Sequence, residues 1–346
     1  MAQRRTKIKR RRRYRLRYDR IFLLLVLAGV LCFGLVKLVQ FIGSSISLAI
    51  GGEANSKITI SSDPQPESST ADNSRPEEPL PTLPSDLASE LHSTNAVLID
   101  RESGQVLLEK DSQSQIYPAS LTKIMTAVVV LENIEDLSEP VFLDPTLYAP
   151  LYDANAALAG FLPGDTVQAI DLLYGTMLPS GAEAATALAV HVGESVSNFV
   201  EMMNQKAREL GMTHTHFTNV TGLHDDNHYS TVSDMAVLFE YALKDKTFKK
   251  IICTPEYTTQ PSQSGNVITV YSTLFSRVSS TEFEGGQILG GKTGYTGDAG
   301  QCLASLGEMK GKEYILVTTG AEGNGQTEPF HIFDAASVFS HITIAK

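Results

Sequence analysis

The body of this sequence predicts an α+β fold: an antiparallel sheet flanked by helices, with a helical lobe inserted between its first and last strands. Three observations predict it. Short apolar runs bounded by turn residues lie near both ends of the body, at Ala96–Asp100 and Gln105–Glu109 and again at Gln301–Leu306 and Tyr314–Thr319. The stretch between them is dominated by long apolar segments with few breakers, the mark of buried helices. No internal repeat is visible, so neither a solenoid nor a regular strand–helix alternation fits.

The first 85 residues say where this body works. The chain has 346 residues and a net charge of −11, but the charge is split. Residues 1–20 hold eleven Lys/Arg and one acid, Asp19, which leaves 17 basic and 38 acidic residues in the remainder. A basic tail on an acidic body argues against a nucleic-acid binder, whose basic groups line a folded face. Ile21–Val36 is uncharged, Lys37 interrupts, and Leu38–Ile50 is uncharged again. A helix needs about 20 residues to cross a bilayer core. Residues 21–42 are therefore expected to be a transmembrane anchor, with Lys37 snorkelling to the far interface. The positive-inside rule makes 1–20 a cytoplasmic tail and puts the rest outside, a single-pass cell-membrane protein. A cleaved signal peptide would have a shorter apolar region and a small-residue cleavage site, and no clear Ala-x-Ala follows. Residues 51–85 carry six prolines, seven serines and six acids. Such a stretch buries too little surface to offset ordering entropy, so it is expected to be a disordered extracellular linker. The folded body is expected at 86–346.

Within the body, Glu102-Ser103-Gly104 joins the first two strands as a hairpin. Leu121–Leu131 is apolar with no breaker and reads as a buried helix, entered through Pro118. Asp171–Met177 leads into the turn Leu178-Pro179-Ser180-Gly181. Ala182–Val192 and Ser195–Leu210 read as helices, the second ended by Gly211, and Thr231–Leu243 as another. Val267–Tyr271 is expected to be a strand and Phe330–Phe339 a closing helix.

Three short motifs could carry chemistry. Ser120-Leu121-Thr122-Lys123 opens the apolar helix, and residues i and i+3 share a helical face. A serine hydroxyl is a weak nucleophile that needs a base beside it. A lysine becomes that base when burial or a second cation lowers its pKa. Taken alone, Ser-x-x-Lys is a pattern that chance supplies about once in such a chain. Lys292-Thr293-Gly294 lies in a glycine-rich run where a strand can approach a ligand closely. A phosphate loop is the competing explanation, but Gln287 stands where it needs glycine. Ser180 precedes a helix, where a serine is ordinarily only an N-cap.

Together the three motifs, at 120, 180 and 292, resemble those of the penicillin-binding protein and serine β-lactamase superfamily. More specifically the chain resembles the low-molecular-mass D-alanyl-D-alanine carboxypeptidases, peptidase family S11. The likeness runs through Tyr117–Thr126, Asp171–Tyr174, Leu178–Gly181, Asn219–Leu223, Tyr229–Thr231, Asp234–Ala236 and Gly291–Thr296, with Ala299-Gly300. The resemblance implies the serine β-lactamase/DD-peptidase-like fold and a serine acyl transfer on peptidoglycan stem peptides ending in D-Ala-D-Ala. It makes Ser120 the nucleophile, Lys123 the base, Ser180 a proton relay and Lys292 an electrostatic support. It gives Thr293, Gly294, Tyr295 and Thr296 to substrate binding, with the N–H groups of Ser120 and Tyr295 as the oxyanion hole. It implies no cofactor and no metal, and it makes β-lactams inhibitors that acylate Ser120.

One departure stands out. The family's turn is usually Ser-Gly-Asn, and Ala182 replaces the asparagine; Glu183 next door is a candidate to compensate. Three rival readings stay open. A β-lactamase of class A would need a Glu-x-x-Leu-Asn segment, and none lies between 182 and 291. A zinc peptidase could use His214, His216, His224 and His228 with Asp225 and Asp226, although the motif of such enzymes is missing. A non-catalytic or weakly active binder of cell-wall peptide or penicillin is permitted by Ala182. Cys253 and Cys302 are either a disulfide or two separate thiols; Cys32 falls in the expected span and can join neither.

Overall fold

The computed structural model describes residues 81–343, all within one unit, 75–346. The expected tail at 1–20, the anchor at 21–42 and most of the linker at 51–85 lie outside the described residues. The last of that linker does not. Thr82 exchanges both backbone hydrogen bonds with Thr343, each 2.9 Å. The folded body therefore begins ahead of Asp86, because a short strand-like contact gives these proline-flanked residues partners that composition does not reveal. Among the described residues no helix is long and apolar enough to cross a membrane.

The framework is a six-stranded antiparallel sheet in the order β2-β1-β10-β9-β8-β7. β1 (Asn95–Asp100) and β2 (Val106–Lys110) form the expected hairpin. Its turn is fixed by the Asp100 carboxylate, which accepts from the N–H groups of Glu102 and Ser103 at 2.8 and 3.1 Å. β7 (Glu282–Phe283), β8 (Gly286–Thr296), β9 (Gly300–Met309) and β10 (Lys312–Ala321) complete the sheet, so chain start and chain end meet in the β1–β10 pair.

Side chains alternate across a strand, and here the two faces serve two cores. Val97, Ile315, Val317, Ala304 and Leu306 face the helical lobe. Ala96, Leu98, Leu303, Tyr314 and Leu316 face the other way, onto a layer formed by the short α1 (Leu87–Glu90) and the closing helix α9 (Phe330–Ser340).

The lobe is built around α2 (Thr122–Asn133), whose residues Thr122 to Val130 are all buried. A helix apolar on every side belongs in the middle of a bundle. Around it stand α4 (Ala169–Met177), α5 (Ala182–Gly193), α6 (Val196–Glu209), α7 (Val232–Ala242) and α8 (Lys246–Ile252). α3 (Tyr148–Asp153) and a two-stranded pair, β3 (Pro140–Phe142) with β4 (Thr166–Gln168), complete the far side. The expected strand at Val267–Tyr271 shortens to β6 (Thr269–Tyr271), paired with β5 (Glu256–Thr258).

Cys253 and Cys302 are free thiols. Cys302 is fully buried and donates to the Ala299 and Gly300 carbonyls at 3.5 and 3.6 Å.

Candidate active site

The N-terminus of α2 and the strand β8 meet at one corner. A 3₁₀ turn at Ala119–Leu121 enters α2, and Ala119 holds φ at +46°. That is an uncommon conformation for a residue with a Cβ, of the kind that persists where the surroundings over-determine it. One neighbour that fixes it is Gly222, at φ +79°, where an added Cβ would sit 1.7 Å from the Ala119 carbonyl oxygen. The other is Gly294 on β8, where a Cβ would lie 3.1 Å from the Ser120 nitrogen. Glycine at both positions lets two backbones close on the serine turn.

Ser120 and Lys123 meet as the helical spacing expects. Lys123 Nζ donates to Ser120 Oγ at 3.0 Å and to the Thr221 carbonyl at 2.6 Å. Lys123 is 2% exposed. Burial lowers its pKa to about 7, against an opposing pull from the Glu183 carboxylate. Lys292 is equally buried, and its Nζ donates to the Thr293 carbonyl at 2.8 Å. Burial, and then the charge of Lys123, push its pKa well below the usual lysine value. Desolvation disfavours each ammonium and like charge disfavours having both, so at least one amine of the pair is held ready as a base.

Ser180 does not cap α5. The N-cap is Gly181, with no side-chain capping bond. Instead Ser180 sits at φ +68° with its Oγ buried and without a hydrogen-bond partner. It lines a cleft of about 370 Å³ together with Ser120, Thr293, Gly294 and Tyr295. A strained residue holding an unsatisfied hydroxyl in a cleft signals function more than stability. Thr293 pairs its hydroxyl with that of Thr273. The ring of Tyr295 is 45% exposed at the rim.

Thr296 is different. It does not line the cleft; its hydroxyl accepts from the Ala299 N–H at 3.1 Å and ties the β8–β9 turn. Strand alternation puts its side chain on the face opposite to those of Thr293 and Tyr295. Glu183 is also placed otherwise than expected. Its Oε1 accepts from the N–H groups of Ala159, Gly160 and Phe161 at 2.7, 2.8 and 3.3 Å. It holds the loop at 159–161.

The four histidines of the 214–228 segment do not converge. His228 is buried, donates from Nε2 to Thr122 Oγ1 at 2.8 Å and accepts at Nδ1 from the Thr218 N–H at 3.0 Å. This hydrogen-bond network is what assigns the tautomer. His216 Nδ1 bonds the Asn227 carbonyl at 2.6 Å. His224 lies 3.4 Å from Asp226 and 3.5 Å from Asp298, and His214 is held through its backbone by Asp234. Burial lowers the His228 pKa to about 4, so this ring braces the start of α2 in its neutral form.

Sequence reasoning missed three participants. The Thr221 carbonyl is a backbone atom and carries no side-chain signal. Asn219 positions it, with Oδ1 accepting from the Thr221 and Gly222 N–H groups at 3.1 and 2.7 Å. Arg277, on a 3₁₀ turn at Phe275–Arg277, lines the cleft, and its guanidinium donates to the Thr327 carbonyl. Asn155, at φ +49°, also lines the cleft.

The model of one protein family, described as D-alanyl-D-alanine carboxypeptidase, peptidase S11, matches residues 82–323. The chain belongs to this family. It is 34% identical over 238 residues to the D-alanyl-D-alanine carboxypeptidase DacF of Bacillus subtilis, covering 68% of this chain and 59% of that one. It is 32% identical over 222 residues to the D-alanyl-D-alanine carboxypeptidase of Streptomyces sp. strain K15, covering 62% of this chain and 75% of that one. The crystal structure of the Streptomyces K15 DD-transpeptidase superposes with a TM-score of 0.65 at 29% identity, covering 72% of this chain and 97% of that one. The match to DacF thus spans about three-fifths of that relative's length. The α+β architecture, an antiparallel sheet with flanking helices and a helical lobe, is that of this S11 family.

Proposed function

We propose that this protein is a serine-type D-Ala-D-Ala carboxypeptidase that removes the terminal D-alanine from peptidoglycan stem peptides and is acylated by β-lactams. The observation that carries the reading is the Ser120 Oγ held 3.0 Å from a buried lysine amine whose pKa is lowered to about 7. A general base poised near the working pH is what a serine nucleophile needs.

Ser120 Oγ attacks the carbonyl carbon between the two D-alanines while Lys123 Nζ takes the hydroxyl proton. The oxyanion lies between the N–H groups of Ser120 and Tyr295, a type of contact worth roughly 3–4 kcal/mol per donor. Ser180 passes the proton to the leaving nitrogen, the C–N bond breaks and D-alanine departs. Water then adds to the ester carbon, its proton returns through the lysine, and Ser120 is released. Lys292 supports the network from beneath. Thr293 and the Arg277 guanidinium hold the terminal carboxylate, since both residues line the cleft.

The same proposal includes an N-terminal anchor at 21–42, with the basic residues inside the cell and the cleft outside, on the strength of the charge step at residues 20–21.

Free D-alanine released from a peptide ending in D-Ala-D-Ala, measured for the full chain and for Ser120→Ala, tests the reaction. Release by the wild type, lost by about a thousandfold or more in the variant, is expected. Equal release by both proteins overturns it. The reading as a binding protein with little turnover is favoured by Ala182, and it predicts a stable penicillin adduct with no D-alanine release.

A further inference from the structure

The cleft has a wall that belongs to neither the Ser-x-x-Lys nor the Lys-Thr-Gly segment. It is the loop at residues 154–161, which contributes Asn155 and Ala157 to the cleft lining. Little within the loop holds it. Asn155 and Ala157 are exposed, and the loop's ties to the body come largely from the helices behind it. The Ala182 N–H donates to the Ala157 carbonyl at 2.8 Å. The buried Tyr148 hydroxyl donates to the Phe161 carbonyl at 2.9 Å. Between these two, Glu183 Oε1 takes three successive N–H groups, from Ala159, Gly160 and Phe161.

Glu183 is 1% exposed, and its second oxygen has no partner. A buried carboxylate with one satisfied oxygen is costly as a mere loop staple. Its other feature is its electrostatic company. Among the described residues, Glu183 is the anion whose field acts on Lys123 and opposes the desolvation of that amine. The other charged or titratable groups facing the lysine are Lys292 on β8 and His228 of the 213–231 segment, both cationic when protonated. Tyr148 on α3 shares the field of Glu183 and stays neutral, its ionisation opposed chiefly by burial.

We propose that Glu183 is a positioning residue for acyl transfer, whose buried carboxylate both clamps the cleft wall at 159–161 and serves as the counter-charge to Lys123. The proposal rests on the serine carboxypeptidase reading. Two consequences follow, and they separate. Loss of the clamp widens the cleft and weakens substrate binding. Loss of the charge leaves Lys123 with less to hold its proton, so the free base appears at lower pH.

The test is the rate of acylation by a fluorescent penicillin, followed from pH 5 to 9, with the KM for D-alanine release measured alongside. The full chain is used as wild type, Glu183→Gln and Tyr148→Phe. The glutamine keeps an oxygen acceptor for the three N–H groups and drops the charge. The acid limb of its acylation profile is expected to move down by about one pH unit, the size of effect one opposite charge exerts nearby. Tyr148→Phe keeps the charge and loosens the wall. It is expected to raise KM by up to about tenfold with the limb in place. An unchanged limb in Glu183→Gln, with melting temperature and KM retained, overturns the counter-charge. If the glutamine variant does not fold, Glu183→Asp, which keeps the charge and shortens the reach to the three N–H groups, takes its place, and an unchanged KM there overturns the clamp. A wild type that neither acylates nor releases D-alanine sinks the underlying reading instead, which keeps the two failures apart.

Discussion

Two pairs of cations in this protein are treated in opposite ways. Lys123 and Lys292 lie at the floor of the cleft, buried, side by side and pushed toward the neutral form. Arg101 and Lys249 lie at the outer end of the sheet, where β10 meets α7 and α8. Arg101 is bonded to Glu240 and Glu313, and Lys249 donates to the same Glu313 at 2.5 Å. Burial pulls the Arg101 guanidinium down, but the bonds and charges of Glu240 and Glu313 more than reverse it. The difference is what surrounds each cation. At the sheet end each positive charge has a carboxylate in contact and solvent nearby. At the cleft floor two amines share three carbonyl or hydroxyl acceptors and one carboxylate that touches neither of them. The first arrangement holds structure together; the second stores instability as basicity.

Removing the base breaks the contrast most sharply. Lys123→Ala is expected to cut the acylation rate about a thousandfold, the size of a lost general base. In the wild type the rate should rise with pH through about 7 and level off, because only the neutral amine accepts the serine proton and its pKa is lowered to about 7. Rates by stopped-flow fluorescence across that range check both statements. A flat profile in the wild type would assign the base elsewhere.

How much of this was legible in advance depends on where the signal resides. The Ser120–Lys123 contact follows from helical spacing, and the sheet ends followed from apolar runs bounded by turn residues. The corner itself depends on close backbone approach at Gly222 and Gly294, which periodicity does not encode. The role of Thr221 runs through a carbonyl oxygen, so any residue type could have stood there. Arg277 reaches the cleft from a segment more than 150 residues after Ser120 in the chain, and one arginine in a polar loop gives no warning of it. Glu183 was noticed for the right reason, its place beside Ala182, but its direction depends on where the 159–161 loop passes.

A second substitution separates stability from activity at the cleft floor. Lys292→Met removes a buried amine with one hydrogen bond and puts an apolar chain of similar length in its place. For a lysine whose folded pKa is depressed, the unfolded chain binds more protons at every pH between the two values, so the native state is penalised below the ordinary pKa and recovers as pH rises. The variant is therefore expected to be more stable than the wild type at pH 7, by about 1–3 kcal/mol, while losing most of its acylation rate. Urea unfolding at pH 7 and pH 10 checks the sign: the gap should shrink at the higher pH.

The smallest expected effect comes from the other region. Arg101→Gln removes the cation that Glu240 and Glu313 share, yet Glu313 keeps Lys249. Partly exposed pairs of this kind contribute about 1 kcal/mol or less, and salt screens them. A loss of about that size in urea unfolding is expected, with acylation unchanged because none of these residues lines the cleft. The pH dependence has the same sign as that of Lys292 but falls in the acid range. Burial alone would push the Glu313 carboxyl up, but the Lys249 and Arg101 contacts hold it below its ordinary value. Its contribution is present above the ordinary glutamate pKa and is lost as pH falls through the folded one. The difference between Arg101→Gln and the wild type should therefore fade below about pH 4, and fade again in about 1 M salt, where the screening length is about 3 Å. A gap that survives both conditions would mean that Arg101 acts through the packing of its aliphatic stem and that the charged network at the sheet end contributes little.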